Sequence, residues 1–198
     1  MLFRSGCGVC AWFCAERAIA FEPVVRGEWY RSNTRFGPML HARLGASAEN
    51  SGKLVSLLRE QAREAAKESG RELILVDGSP GIGCPVIASV TGASLVLVVT
   101  EPTLSGEHDL QRVLDLARGF GLPTAVLVNR ADIDLELASR IEQRAAAQGA
   151  LLLPRVPYDR AVTEAQLQGK PVVELRDGPA AREIRRGWDE ISQRFGGM

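Results

Sequence analysis

The run Leu73-Ile-Leu-Val-Asp77-Gly-Ser-Pro-Gly-Ile-Gly-Cys-Pro85 carries a carboxylate from the end of an apolar stretch into a Gly/Pro turn. At the carboxyl end of a parallel strand, such an acid suits the water shell of Mg²⁺ in nucleotide-hydrolysing α/β domains. Gly78 and Gly81 then let backbone pass close to a phosphate or a water. A second apolar run, residues 95–100, closes on Glu101. An ordinary βα crossover with an acidic strand end has the same appearance, so the run alone leaves both readings open. A different chemistry stands near the start of the chain. Cys7, Cys10 and Cys14 have C-x₂-C-x₃-C spacing, which suits thiolate ligation of iron or zinc.

These groups need elements to hold them. From Ser51 onward the pattern alternates helix and strand. Residues 53–68 put Leu54, Leu57, Leu58, Ala62 and Ala65 at helical spacing, with Ser51 as N-cap and Gly70 as stop. A strand is expected over 73–76, a short helix over 85–90 and a strand over 95–100. Then follow a helix over 106–120, a strand over 124–128, a helix over 135–148 and a strand over 151–156. Helices over 159–168 and 179–194 finish the chain. This alternation predicts an α/β fold with a doubly wound, mostly parallel sheet.

Residues 1–50 break that rhythm. Short strands are expected at 18–21 and 28–31 around a turn at Gly27, with an extended piece over 36–40. The reading is a small module over 1–33, rich in cysteine and glycine, ahead of a main domain over 34–198.

The length of 198 residues suits one domain with a sizeable core. Formal charge is zero and no basic tract occurs, which argues against nucleic acid or an anionic membrane as partner. No apolar run is long enough to span a bilayer. The expected setting is the cytoplasm, with the four cysteines as ligands or free thiols rather than disulfides.

Several strings together carry a family resemblance: Gly27-Glu-Trp-Tyr30, Thr34-Arg-Phe-Gly-Pro-Met-Leu-His-Ala-Arg-Leu44, Glu49-Asn-Ser-Gly-Lys-Leu-Val55, the Asp77–Pro85 run and Thr100-Glu-Pro-Thr103. The chain resembles the branch of the MinD/ParA-type P-loop ATPases that carries an inserted 4Fe-4S ferredoxin domain. The resemblance implies a MinD/nitrogenase iron protein-like fold, ATP or ADP with Mg²⁺ as ligand, and a homodimer. It implies that Asp77 holds a Mg²⁺ water and that Gly78 and Gly81 belong to the switch loop. Asn129, with Arg130 beside it, would meet the adenine edge, and Pro157, Tyr158 and Asp159 would form the second base-contacting loop. An amide suits the base edge because it donates and accepts at once. Ordinary turn residues in two βα loops remain the alternative.

Two parts of the family pattern are missing. No Lys-Gly-Gly-x-Gly-Lys-Thr loop occurs, and the stretch from Gly45 to Lys53 has the wrong spacing for one. Its strand normally lies in mid-sheet between the Asp77 strand and the 95–100 strand, so the expectation is a C-terminal portion that associates with its missing N-terminal half, inactive as an ATPase alone. The cysteine run also keeps only the last three ligands of the ferredoxin motif, with Arg4 in the first place and Ala15 for the proline. An iron–sulfur cluster is expected to be incomplete, with zinc as the competing metal. The alternative function is a non-catalytic metal-binding scaffold. Cys84 is expected to be a small buried thiol, His41 to pack or cap, and His108 to face solvent.

Overall fold

The computed structural model describes residues 8–22, 25, 27–45 and 52–196. A one-turn helix α1 (Val9–Trp12) is followed by an antiparallel hairpin, β1 (Gly27–Thr34) and β2 (Gly37–Leu44), in register from Gly27 opposite Leu44 to Thr34 opposite Gly37. The hairpin crosses the join expected at residues 33–34. Helix α2 (Gly52–Glu68) packs on β2 and on α3 (Cys84–Val90). Strand β3 (Val96–Thr100), helix α4 (Leu104–Gly119), strand β4 (Thr124–Val128), helix α5 (Leu135–Ala147) and strand β5 (Leu151–Leu152) form the regular α/β part. Helices α6 (Arg160–Leu167), α7 (Val172–Leu175) and α8 (Pro179–Phe195) complete the chain.

The sheet has the order β3-β4-β5 and is parallel throughout. Side chains on one face, Val98, Val126 and Val128, pack with Leu110, Leu114, Ala138 and Ile141 of α4 and α5. Helix α8 lies on the other face of β4, where Gly187 comes close to Leu127 and Pro154. The helix starts follow from local chemistry. Thr103 Oγ1 accepts from Gly106 N–H, Asp134 from Leu137 N–H and Asp159 from Ala161 N–H, each an N-cap that satisfies an otherwise unpaired donor.

Several expectations need correction. Residues 73–76 do not form a strand: they pair with no other strand among the described residues, and Leu75 is 81 % exposed. Apolar, β-branched composition favours extension, but a strand exists only where a neighbour supplies the ladder. Residues 18–21 are likewise irregular. The expected 151–156 strand shrinks to two residues and an isolated bridge from Asn129 to Val156. Cys84 is exposed, not buried, because α3 begins at the surface. His41 and His108 agree with expectation: His41 stacks on Tyr30 and shares a 2.9 Å hydrogen bond with Ser32, and His108 faces solvent.

Candidate functional site

The carboxyl ends of β3, β4 and β5 lie side by side, which in a parallel sheet is where loops gather ligand-binding groups. Asn129 follows β4, and its backbone N–H donates to the Thr100 carbonyl over 2.8 Å, fastening it to the end of β3. Its amide points toward Glu101, with Nδ2 to Oε1 at 3.5 Å, and the Arg130 guanidinium reaches the same oxygen at 3.5 Å. Arg130 holds a left-handed backbone, φ 50°, an uncommon conformation for a side-chain-bearing residue that clusters at functional loops. Glu101 was not singled out as a site residue, although the acid-Pro-Thr string after a strand was the available signal. Gly106 lets this loop close tightly, since a Cβ there would lie 2.4 Å from the Glu101 carbonyl oxygen.

The third strand end contributes a second loop. Tyr158 N–H donates to Asp132 Oδ1 over 2.6 Å, which ties the segment after β5 to the segment after β4. Pro157 lines a cavity of about 290 Å³ with Ala131, Asp132, Leu135, Arg155 and Arg182. Asp159 has a structural duty: one oxygen caps α6 and the other accepts from Ala180 N–H at the start of α8 over 3.4 Å. A carboxylate with both oxygens so engaged is poorly free to contact a base. Tyr158 is exposed.

Asp77 is exposed, as are Gly78 and the rest of that stretch up to Pro80 except Ser79. Among the described residues no hydrogen bond or ion pair joins Asp77 to Glu101, Asn129 or Arg130. Gly81 has φ +90°, and added Cβ atoms at Gly78 and Gly81 would meet nothing within 4 Å. The loop is therefore open rather than folded as a cradle. Lys53 lies elsewhere, in a groove of about 580 Å³ between α2 and α3 with Gly52, Leu57, Cys84 and Ile87.

Of the metal-ligand candidates, Cys7 lies outside the described residues. Cys10 sits on α1 and is exposed, and Cys14 is half-buried with its Sγ accepting from Ala18 N–H at 3.4 Å. Among the described residues no group of three or more His, Cys, Asp or Glu side chains could hold a metal.

The electrostatics are strongest behind the site. Glu107, buried in the first turn of α4, receives Arg140 Nε and Nη2 at 2.8 and 2.7 Å and Arg144 Nη1 at 2.9 Å. The Arg140 hydrogen bonds hold its carboxyl below the usual 4.5, against the opposing effect of burial. These ion pairs clamp α4 to α5.

No protein-family model matches the chain. It is 32 % identical over 110 residues to an uncharacterised protein of Methanocaldococcus jannaschii, covering 55 % of this chain and 38 % of that one. A second uncharacterised protein of that organism is 23 % identical over 174 residues, covering 87 % of this chain and 57 % of the other. A third, an uncharacterised ATP-binding protein, is 30 % identical over 122 residues, 61 % of this chain and 46 % of that one. The chain thus spans about half the length of the curated relatives it matches.

Among solved structures it resembles the Pyrococcus furiosus cell division ATPase MinD, TM-score 0.58 at 20 % identity, covering 72 % of this chain and 59 % of that one. The Aquifex aeolicus MinD cell division protein gives 0.57 at 25 %, covering 72 % and 61 %. The Pyrococcus horikoshii MinD complexed with Mg-ADP gives 0.57 at 18 %, covering 74 % and 58 %. The fold is the α/β, parallel-sheet fold of the MinD-like P-loop ATPases. No helix among the described residues is long and apolar enough to cross a membrane.

Proposed function

We propose that the chain is the base-binding part of a MinD/ParA-type ATPase unit that takes ATP or ADP at the carboxyl ends of β3, β4 and β5. The observation that carries this reading is Asn129, whose backbone N–H is fastened to the Thr100 carbonyl at a strand end and whose backbone bridges Val156, the residue before Pro157. An amide there offers a donor and an acceptor to a purine edge, while Pro157 and its cavity supply apolar wall. Glu101, itself paired with Arg130, accepts from the Asn129 amide until a base edge takes its place.

The donor set fits the base better than the phosphates. Asp77 is exposed, a carboxylate suited to a Mg²⁺ water, and Gly78 and Gly81 leave the loop room to move toward a phosphate. The sequence holds no phosphate loop, so several charge-assisted hydrogen bonds to phosphate, each on the order of 1.5–3 kcal/mol, are missing from this chain. Nucleotide binding without turnover follows. Mg²⁺, when bound, neutralises phosphate charge. In the intact assembly the unit pairs as a homodimer in the cytoplasm, with no nucleic acid or integral membrane contact.

Calorimetry with ADP and Mg²⁺ tests the reading. Weak binding that Asn129→Ala abolishes, while circular dichroism stays unchanged, supports it. Binding that is absent, or that Asn129→Ala leaves intact, ends it.

The free thiols of exposed Cys10 and half-buried Cys14 favour a second role, an incomplete iron–sulfur or zinc site with Cys7 that delivers or receives a cluster. Anaerobic purification with iron, sulfide and zinc analysis decides it. A colourless, metal-free protein that stays so after reconstitution rules this role out, and bound zinc alone supports the scaffold reading.

A further inference from the structure

We propose that Asp132 is a specificity-determining residue of the base site and accepts a hydrogen bond from the exocyclic amino group of the bound base. This rests on the base-binding reading and adds which group on the base is read. The loop after β4 runs Asn129-Arg130-Ala131-Asp132, so the carboxylate follows the amide by three residues. Both stand on one braced segment. Asn129 N–H donates to the Thr100 carbonyl over 2.8 Å, and Ala131 N–H donates to the Val156 carbonyl over 3.0 Å. Ile133 N–H closes a turn onto the Arg130 carbonyl over 3.0 Å, and Asp134 then caps α5 through Leu137 N–H. A recognition group on a segment held at so many points loses little freedom when a ligand arrives.

The cavity beside Pro157 is where Asp132 can act. Its volume of about 290 Å³ lies near the lower end of small-molecule sites, room for a ring system rather than a whole nucleotide. Leu135, Pro157 and Pro179 give it apolar wall, and four charged residues complete the lining. Three of them already have ionic partners: Arg155 with Glu142, Arg182 with Asp177 and Glu183 with Arg186. Asp132 is the exception. Among the described residues it has no cation partner, and its Oδ1 accepts from Tyr158 N–H over 2.6 Å. Oδ2 is left to accept from a ligand.

The chemistry of that oxygen selects the base. An ionised carboxylate only accepts, so it favours an N–H on the base and repels a carbonyl. With Oδ1 held by backbone, Asp132 offers one acceptor rather than two, which matches the single amino group of adenine. Hypoxanthine has the same two rings with a carbonyl in place of that amino group. Asn129 alone separates the two bases poorly, because an amide can turn over and either donate or accept. A carboxylate has no such choice.

Calorimetry on the full chain with Mg²⁺, comparing ADP with inosine diphosphate, tests this. ADP should bind at least roughly tenfold more tightly, the span of one hydrogen bond to a charged group. Asp132→Asn keeps an oxygen for Tyr158 N–H and puts an amide nitrogen, a donor, where Oδ2 was. It should bring the two affinities to within about threefold of each other or reverse their order, with circular dichroism unchanged. A residue that only braced the loop would weaken both nucleotides alike and leave their ratio where it was. An unchanged ratio in Asp132→Asn overturns the proposal, as does equal binding of the two nucleotides to the parent chain. Either result leaves base binding itself standing, whereas a chain that binds no ADP at all removes both.

Discussion

Strands β3 and β4 are nearly the same in composition, Val-Leu-Val-Val-Thr against Thr-Ala-Val-Leu-Val, and the same length. One is buried on both faces over its centre, and the other is buried on one face only. Apolarity specifies that a residue should be covered, but neighbours decide whether it is. β4 has β3 on one side, β5 on the other, α4 and α5 below and α8 above. β3 has a ladder on one side and helices on one face. The well-covered strand end presents Asn129 in a fixed position, whereas the exposed run before Asp77 presents its carboxylate on backbone that pairs with no strand among the described residues.

The sharpest way to test that contrast is to remove volume from each side. Ile141 is completely buried beneath β4, and Ile141→Ala should cost about 2–5 kcal/mol in urea unfolding. Asp159→Ala should come next, losing the α6 cap and the Ala180 contact, about 1 kcal/mol by the same measurement. Val99→Ala on the open face should change stability by less than about 0.5 kcal/mol. A large Val99 effect in the isolated chain would show that β3 is covered after all.

The Glu107 clamp adds a pH dependence to the closed side. Its carboxyl lies below the ordinary 4.5 in the folded protein. The folded state therefore binds fewer protons than the unfolded one near that pH, and the stabilisation is fully present above the ordinary value. It is lost as pH falls through the lowered one. Glu107→Gln should be less stable than the parent protein above about pH 5, and the gap between the two denaturation midpoints should narrow as pH falls below the ordinary 4.5. Parallel curves across that range would remove Glu107 from the clamp.

Much of the architecture was legible because it rests on local chemistry. Gly70 ends α2 with φ +61°, and Thr103, Asp134 and Asp159 cap their helices. The helical spacing of Leu110, Leu114 and Ala117 puts the buried face of α4 where the core lies. The placement of Asn129 at a strand end was legible for the same reason, since a strand that stops at an amide is a local pattern. Glu101 was not, because its contact with Asn129 joins residues 28 apart.

The chain by itself determined where the longer helices lie and that β4 ends on an amide, because caps, turns and periodicity act over a few residues. Only the tertiary structure decided that residues 73–76 go unpaired, that Cys84 faces solvent, and that Glu107 holds Arg140 and Arg144. Those outcomes depend on which surfaces meet, and a strand or a buried charge is defined by its distant neighbours rather than by its own sequence.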